Sequence, residues 1–93
     1  MSATGGGSVR IEVTQADIDR GVCESYMACP IVHATRRALD VKHVWIDEDG
    51  ITVIDANNVV SVMAVPQSAF DFIVRFDGGK HVEPFTFDLE VPA

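Results

Sequence analysis

The sequence predicts an α+β fold, a mainly antiparallel sheet of about five strands in the order β-α-α-β-β-β-α-β, with two main helices on one face. Three observations carry this reading. Residues 43–65 hold three β-rich runs joined by two short turns, and strands on consecutive short turns must be antiparallel. Two segments, opened by Pro30 and Pro66, carry apolar residues at helical spacing. The first and last ordered runs alternate apolar and polar residues with a period of two.

Taken in order, residues 1–8 are small, glycine-rich and uncharged, and are expected to form a flexible leader to a single domain over 9–93. They have neither the basic nor the apolar region of a signal peptide. Val9, Ile11 and Val13 alternate with Arg10, Glu12 and Thr14, the pattern of a half-buried strand. Thr14 and Asp17 have capping-box spacing and open a short helix over 15–20. Gly21 is expected to stop it in a left-handed conformation. The second helix runs from Pro30 to about Leu39. Its inward stripe is Ile31, Ala34, Thr35, Ala38 and Leu39, with His33, Arg36, Arg37 and Asp40 outside or on the flanks.

Residues 43–46 and 51–54 flank Asp47, Glu48, Asp49 and Gly50, and Asp-Gly between β-branched runs is a strong hairpin signal. Residues 55–58 form a second turn and 59–65 a third strand. The last helix follows Pro66, with Ala69, Phe72, Ile73 and Phe76 inward and an Asp71–Arg75 pair outward. Gly78 and Gly79 stop it. Residues 85–91 alternate as a strand with one wet face, and the first and last strands are expected to be neighbours.

Composition narrows the function classes. The 93 residues carry 14 acids against 7 lysines and arginines, a formal net charge of −7. Residues 1–46 balance five acids with five bases, whereas 47–93 hold nine acids and only Arg75 and Lys80. Such a surface repels phosphate backbones and anionic membranes, so neither nucleic acid nor membrane is an expected partner. No apolar run approaches the roughly 20 residues that span a bilayer.

Cys23, Cys29 and His33 give a C-x5-C-x3-H spacing. The first interval is longer than zinc sites use, and His43 and His81 are poorly placed as a fourth ligand. No metal and no cofactor is expected, and both cysteines are expected to be free thiols. Cys29 occupies the N-cap before Pro30, where a helix dipole favours a thiolate, which makes a thiol enzyme one function to weigh. No acid is placed to orient His33 as a base, so no catalytic residue is assigned. Arg36 and Arg37 read as solvated helix surface. The acidic triplet at 47–49 lacks the oxygen spacing of a calcium loop.

The strand at 59–65 is apolar on both sides, because Val59, Ser61, Met63 and Val65 alternate with Val60, Val62 and Ala64. An open sheet with one solvated face should not be. Trp45 faces away from Val44 and Ile46, onto the sheet's second face with Thr52. Trp45, Val59 and Met63 are therefore the candidate partner-binding residues, since tryptophan and methionine are enriched in interface cores.

Three stretches also carry a family likeness. Residues 11–21 read Ile-Glu-Val-Thr-Gln-Ala-Asp-Ile-Asp-Arg-Gly, 29–34 read Cys-Pro-Ile-Val-His-Ala, and 72–79 read Phe-Ile-Val-Arg-Phe-Asp-Gly-Gly, followed by Val-Glu-Pro-Phe-Thr-Phe-Asp-Leu at 82–89. In this order they resemble a group of small uncharacterised proteins encoded by actinobacterial phages and their hosts. The resemblance implies a phage accessory protein acting in the bacterial cytoplasm, and implies no reaction. Together these readings point to a non-enzymatic module that binds a host or phage protein, with a homodimer as a further expectation. The alternative is an acidic nucleic-acid mimic that inhibits a DNA-acting protein.

Overall fold

The computed structural model describes residues 7–22, 25, 27–47 and 49–90. The expected order holds: β1 (Ser8–Val13), α1 (Gln15–Arg20), α2 (Pro30–Leu39), β2 (His43–Asp47), β3 (Gly50–Ile54), β4 (Val60–Met63), α3 (Gln67–Asp77) and β5 (Phe85–Glu90). All strand pairs are antiparallel. The fold class is α+β, with five strands and three helices. The strands do not join into one sheet, however. β1 and β5 form a two-stranded ribbon, and β2, β3 and β4 form a separate sheet in that order. The leader expected at 1–8 lies largely outside the described residues, and β1 already includes Ser8.

The ribbon joins the two ends of the described chain, as expected from the sequence. Val9 opposes Leu89, Ile11 opposes Phe87 and Val13 opposes Phe85, so all six side chains share one face. Ile11, Val13, Phe87 and Leu89 are buried there. Helix α2 packs on β1, and Ile31, Val32, Ala34 and Thr35 are buried in it. Ala38, expected inward, is exposed, and Leu39 is only half-buried. The buried residues of α2 include Val32 and all lie in its N-terminal half. Helix α3 buries Ala69, Phe72 and Phe76, and the Phe72 ring stacks on Phe85 with centroids 4.9 Å apart. The inner side of the three-stranded sheet adds Val44, Ile51, Val53 and Met63 to the same core.

Several terminators work as the sequence implies. Thr14 and Asp17 form a complete capping box. Helix α2 ends with Asp40 left-handed at φ 52°. The 55–58 turn is held by Asp55, whose Oδ1 accepts from the N–H groups of Asn57 and Val59, and Asn58 is left-handed at φ 66°. Gly50 sits at φ +133°, and a Cβ there would lie 2.3 Å from the Met63 carbonyl oxygen, so the hairpin needs glycine for two reasons.

Gly21 departs from expectation. Its backbone is extended, with φ −68° and ψ 149°, and not left-handed. Glycine is needed there because a Cβ would come within 2.5 Å of the Pro30 ring and 3.0 Å of Phe76. Pro66 is the N-cap of α3 and not its first helical residue. Asp71 accepts from Gln67 Nε2 at 2.9 Å, and the expected pair with Arg75 is not among the ion pairs of the described residues.

Thr35 is fully buried in α2, and its hydroxyl finds no partner among the described residues. A buried hydroxyl left unpaired costs about 1–3 kcal/mol, and valine has nearly the same shape. Thr35→Val is expected to raise stability by about 1 kcal/mol. A chemical denaturation midpoint unchanged or lowered would show that the hydroxyl has a partner.

Candidate functional site

The register of the three-stranded sheet decides which side chains share its outer face. Trp45 opposes Thr52, which opposes Val62, and His43 opposes Ile54, which opposes Val60. These two rows point away from the core residues Val44, Val53, Ile51 and Met63. As expected, Trp45 lies opposite Val44 and Ile46 and beside Thr52. Trp45 is half-buried, and its indole N–H donates to Asp47 Oδ2 at 3.2 Å. Thr52 is buried although it lies on the outer face, so its neighbours cover it.

Two of the three sequence candidates are displaced by this register. Met63 is only 4% exposed and faces the core. Val59 is exposed but precedes β4, in the turn after β3. The residues that do extend the Trp45 face are Val60 and Val62, 58% and 53% exposed, with Ile54 half-buried between strands. The alternation of the strand was legible. Its parity was not, because both sides are apolar and only cross-strand pairing tells them apart.

A second feature adjoins this face. β4 pairs with β3 along one side only, and its residues, with Val53 of β3, help to line an open groove of about 720 Å³. Val9 of β1, Leu39 of α2 and Val41 line it too. Asp55 is the one charged residue among those lining it.

The thiol reading loses support here. Cys29 is the N-cap of α2, as expected, but it is buried. Burial pushes its thiol up, and the nearby Asp77 adds to this. The N–H groups of Ile31 and Val32 pull the other way without prevailing. Cys23 lies outside the described residues. Among the described residues no cluster of three or more His, Cys, Asp or Glu could hold a metal ion. Among them, too, no helix is long and apolar enough to cross a membrane.

Arg37, expected as solvated surface, is the largest departure from the sequence reading. Its Nη1 and Nη2 donate to the two carboxylate oxygens of Asp17 at 2.7 and 2.8 Å, and Nη2 also reaches the Glu12 carbonyl oxygen at 2.8 Å. Asp17 is fully buried. Burial alone would raise its carboxyl. The hydrogen bonds from Arg37 and from the N–H and hydroxyl of Thr14 outweigh it, and hold the group well below the usual carboxylate range. This arrangement joins β1, α1 and α2, and it is scaffold rather than site.

The acids of the second half are spread. Asp47, Asp49, Asp88 and Glu90 are exposed on turns and outward strand positions, and Asp88 pairs with Arg10 at 3.6 Å. No family model, curated protein or solved structure matches the chain.

Proposed function

We propose that the protein is a small non-enzymatic interaction module, a phage accessory protein that binds a host or phage protein in the bacterial cytoplasm. The observation that carries this reading is the outer face of the β2–β3–β4 sheet. Trp45, Ile54, Val60 and Val62 share it, on strands whose other side already feeds the core. An antiparallel sheet ordinarily keeps one such face polar. Exposed apolar area of this kind, rimmed here by His43 and Asp47, is the mark of a protein contact surface. The likeness of residues 11–21, 29–34, 72–79 and 82–89 to small proteins of actinobacterial phages supports the setting.

The test compares two variants for capture of a partner from actinobacterial lysate. Trp45→Ala is expected to weaken binding by about 2 kcal/mol or more, as a central tryptophan does. Asp88→Asn combined with Glu90→Gln should change it little, since exposed charges on a rim contribute about 0–1 kcal/mol. Binding should survive high salt, because apolar contacts are not screened. Circular dichroism must show the Trp45 variant folded. Loss of binding in the charge variant with retention in the Trp45 variant would overturn the sheet-face reading in favour of acidic mimicry.

A further inference from the structure

We infer that the edge of β4 takes one extended segment of a partner protein as an added strand, apolar at alternate residues and carrying a lysine or arginine beside Asp55. This rests on reading the protein as an interaction module, and it names how the partner is held. The edge is identified by parity. The Asp55 N–H donates to the Val59 carbonyl oxygen at 3.1 Å, and hydrogen-bonded pairs alternate along an antiparallel ladder. Ser61 and Met63, opposite Val53 and Ile51, therefore turn their N–H and C=O groups towards β3. Val60 and Val62 turn theirs outward, where no strand pairs with β4 among the described residues. Such a row is a template for one more strand, and proteins ordinarily guard it with lysine, proline or a bulge. No charged side chain occurs from residue 56 to residue 70, β4 holds no proline, and it pairs with β3 in uninterrupted register.

The groove selects the occupant. Residues of both parities in β4 line it, Val60 and Val62 from the outer face and Ser61 and Met63 from the inner side, so it follows the strand's edge. Val9 and Leu39 line the same groove, which leaves room for a single strand and not for a sheet or a folded domain behind it. A second copy of this chain is excluded on that ground, and two chains of −7 also repel. A small apolar molecule would leave the outward N–H and C=O groups unmatched, whereas an extended backbone pairs with them. Beside Ser61 and Met63 the added strand turns alternate side chains towards Val53 and Leu39, which favours β-branched residues there. Asp55 sets the charge. It is half-buried at the start of β4 and is the one charged residue lining the groove. Residues 47–93 hold nine acids against two bases, so a segment bearing a cation is drawn in and an acidic one is repelled.

The test selects binders to the full chain from a displayed library of random peptides about ten residues long. Enriched sequences should carry apolar residues with a period of two and a lysine or arginine at one end. Asp55→Asn should lose the basic preference alone, since its Oδ1 can still accept from Asn57 and Val59. The best peptide, synthesised and added to the wild type, should slow amide exchange at Val60 and Val62 and leave Ser61 and Met63 unchanged. Val62→Pro removes one outward N–H and no bond to β3, a place where edge strands accept proline. It should weaken the peptide by about tenfold, the equivalent of one hydrogen bond, with an unchanged circular dichroism spectrum. No enrichment, enriched sequences without the period of two, or exchange unchanged at 60 and 62 overturns the inference. So does protection of those two amides before peptide is added, which would mean that the chain itself or a second copy covers the edge. If Val62→Pro fails to fold, the wild-type exchange pattern decides. Trp45 lies on β2, beyond β3, so Trp45→Ala should leave peptide affinity within about twofold. Peptide binding lost while Trp45-dependent capture persists, or the reverse, tells failure of the edge from failure of the sheet-face reading.

Discussion

Arg37→Met is expected to destabilise the fold by about 3 kcal/mol, the lower end of what breaking a buried ion pair costs, because Arg37 itself remains half exposed. The loss is that of the partner left behind. Asp17 would keep its place in the first turn of α1 without the short Arg37 bonds to its two oxygens, held only by Thr14 and by the longer 3.4 Å contact from Arg20 to Oδ1. Methionine preserves much of the side-chain volume, so the effect reports charge and hydrogen bonding and not a cavity. The deficit should depend on pH. In the wild type Asp17 titrates below its unfolded value, so the unfolded state binds the proton more tightly. The stability this contributes is fully present above about pH 5 and is lost as pH falls through about 4 towards the folded pKa. In the variant the carboxyl loses the Arg37 bonds that lower it and so titrates higher than in the wild type, and protonation relieves part of the defect. The gap between wild type and Arg37→Met in urea midpoints should therefore narrow between about pH 6 and pH 3. A gap that is constant across that range would mean that Arg37 acts through packing alone.

The second large effect is expected at Phe76. Phe76→Ala should cost about 3–5 kcal/mol, a large share of the roughly 5–15 kcal/mol a small domain has in hand. Phe76 begins a run of rings. Its centroid lies 6.0 Å from Phe72, Phe72 lies 4.9 Å from Phe85, and Phe85 lies 5.7 Å from Phe87. The run links α3 to the inner face of the ribbon. At its other end the Phe76 ring reaches Gly21, where even a methyl group would come within 3.0 Å of it. Truncation would therefore open a void beside Gly21, whose backbone already lies close against the Pro30 ring. Phe70, on the exposed side of the same helix, is the control: Phe70→Ala should shift stability by no more than about 0.5 kcal/mol. Equal urea midpoints for Phe76→Ala and wild type would show that α3 is held by another face.

Whatever is encoded within a few residues of itself could be read from the chain alone. The capping box at Thr14 and Asp17, the proline that opens α2, the Asp-Gly hairpin and the inward stripe of α3 are local patterns. Each follows from backbone sterics or from the unpaired groups at helix ends. The element order and the pairing of the first and last strands followed from these and from compactness. The Trp45 side of the sheet was also legible, since successive residues of a strand must face opposite ways.

What remained depended on contacts between distant parts of the chain. Arg37 and Asp17 are 20 residues apart, and nothing local distinguishes an arginine that will meet a buried acid from one that will meet water. The parity of β4 needed the pairing of Thr52 with Val62, because a strand apolar on both sides has no pattern to orient it. That pairing sends Met63 inward and brings Val60 and Val62 to the Trp45 face. Gly21 is glycine because Pro30 and Phe76 converge on it, not because of its own dihedral angles. The division of the strands into a two-stranded ribbon and a three-stranded sheet is likewise tertiary, because all five strands have the composition of sheet formers and only their pairing separates them.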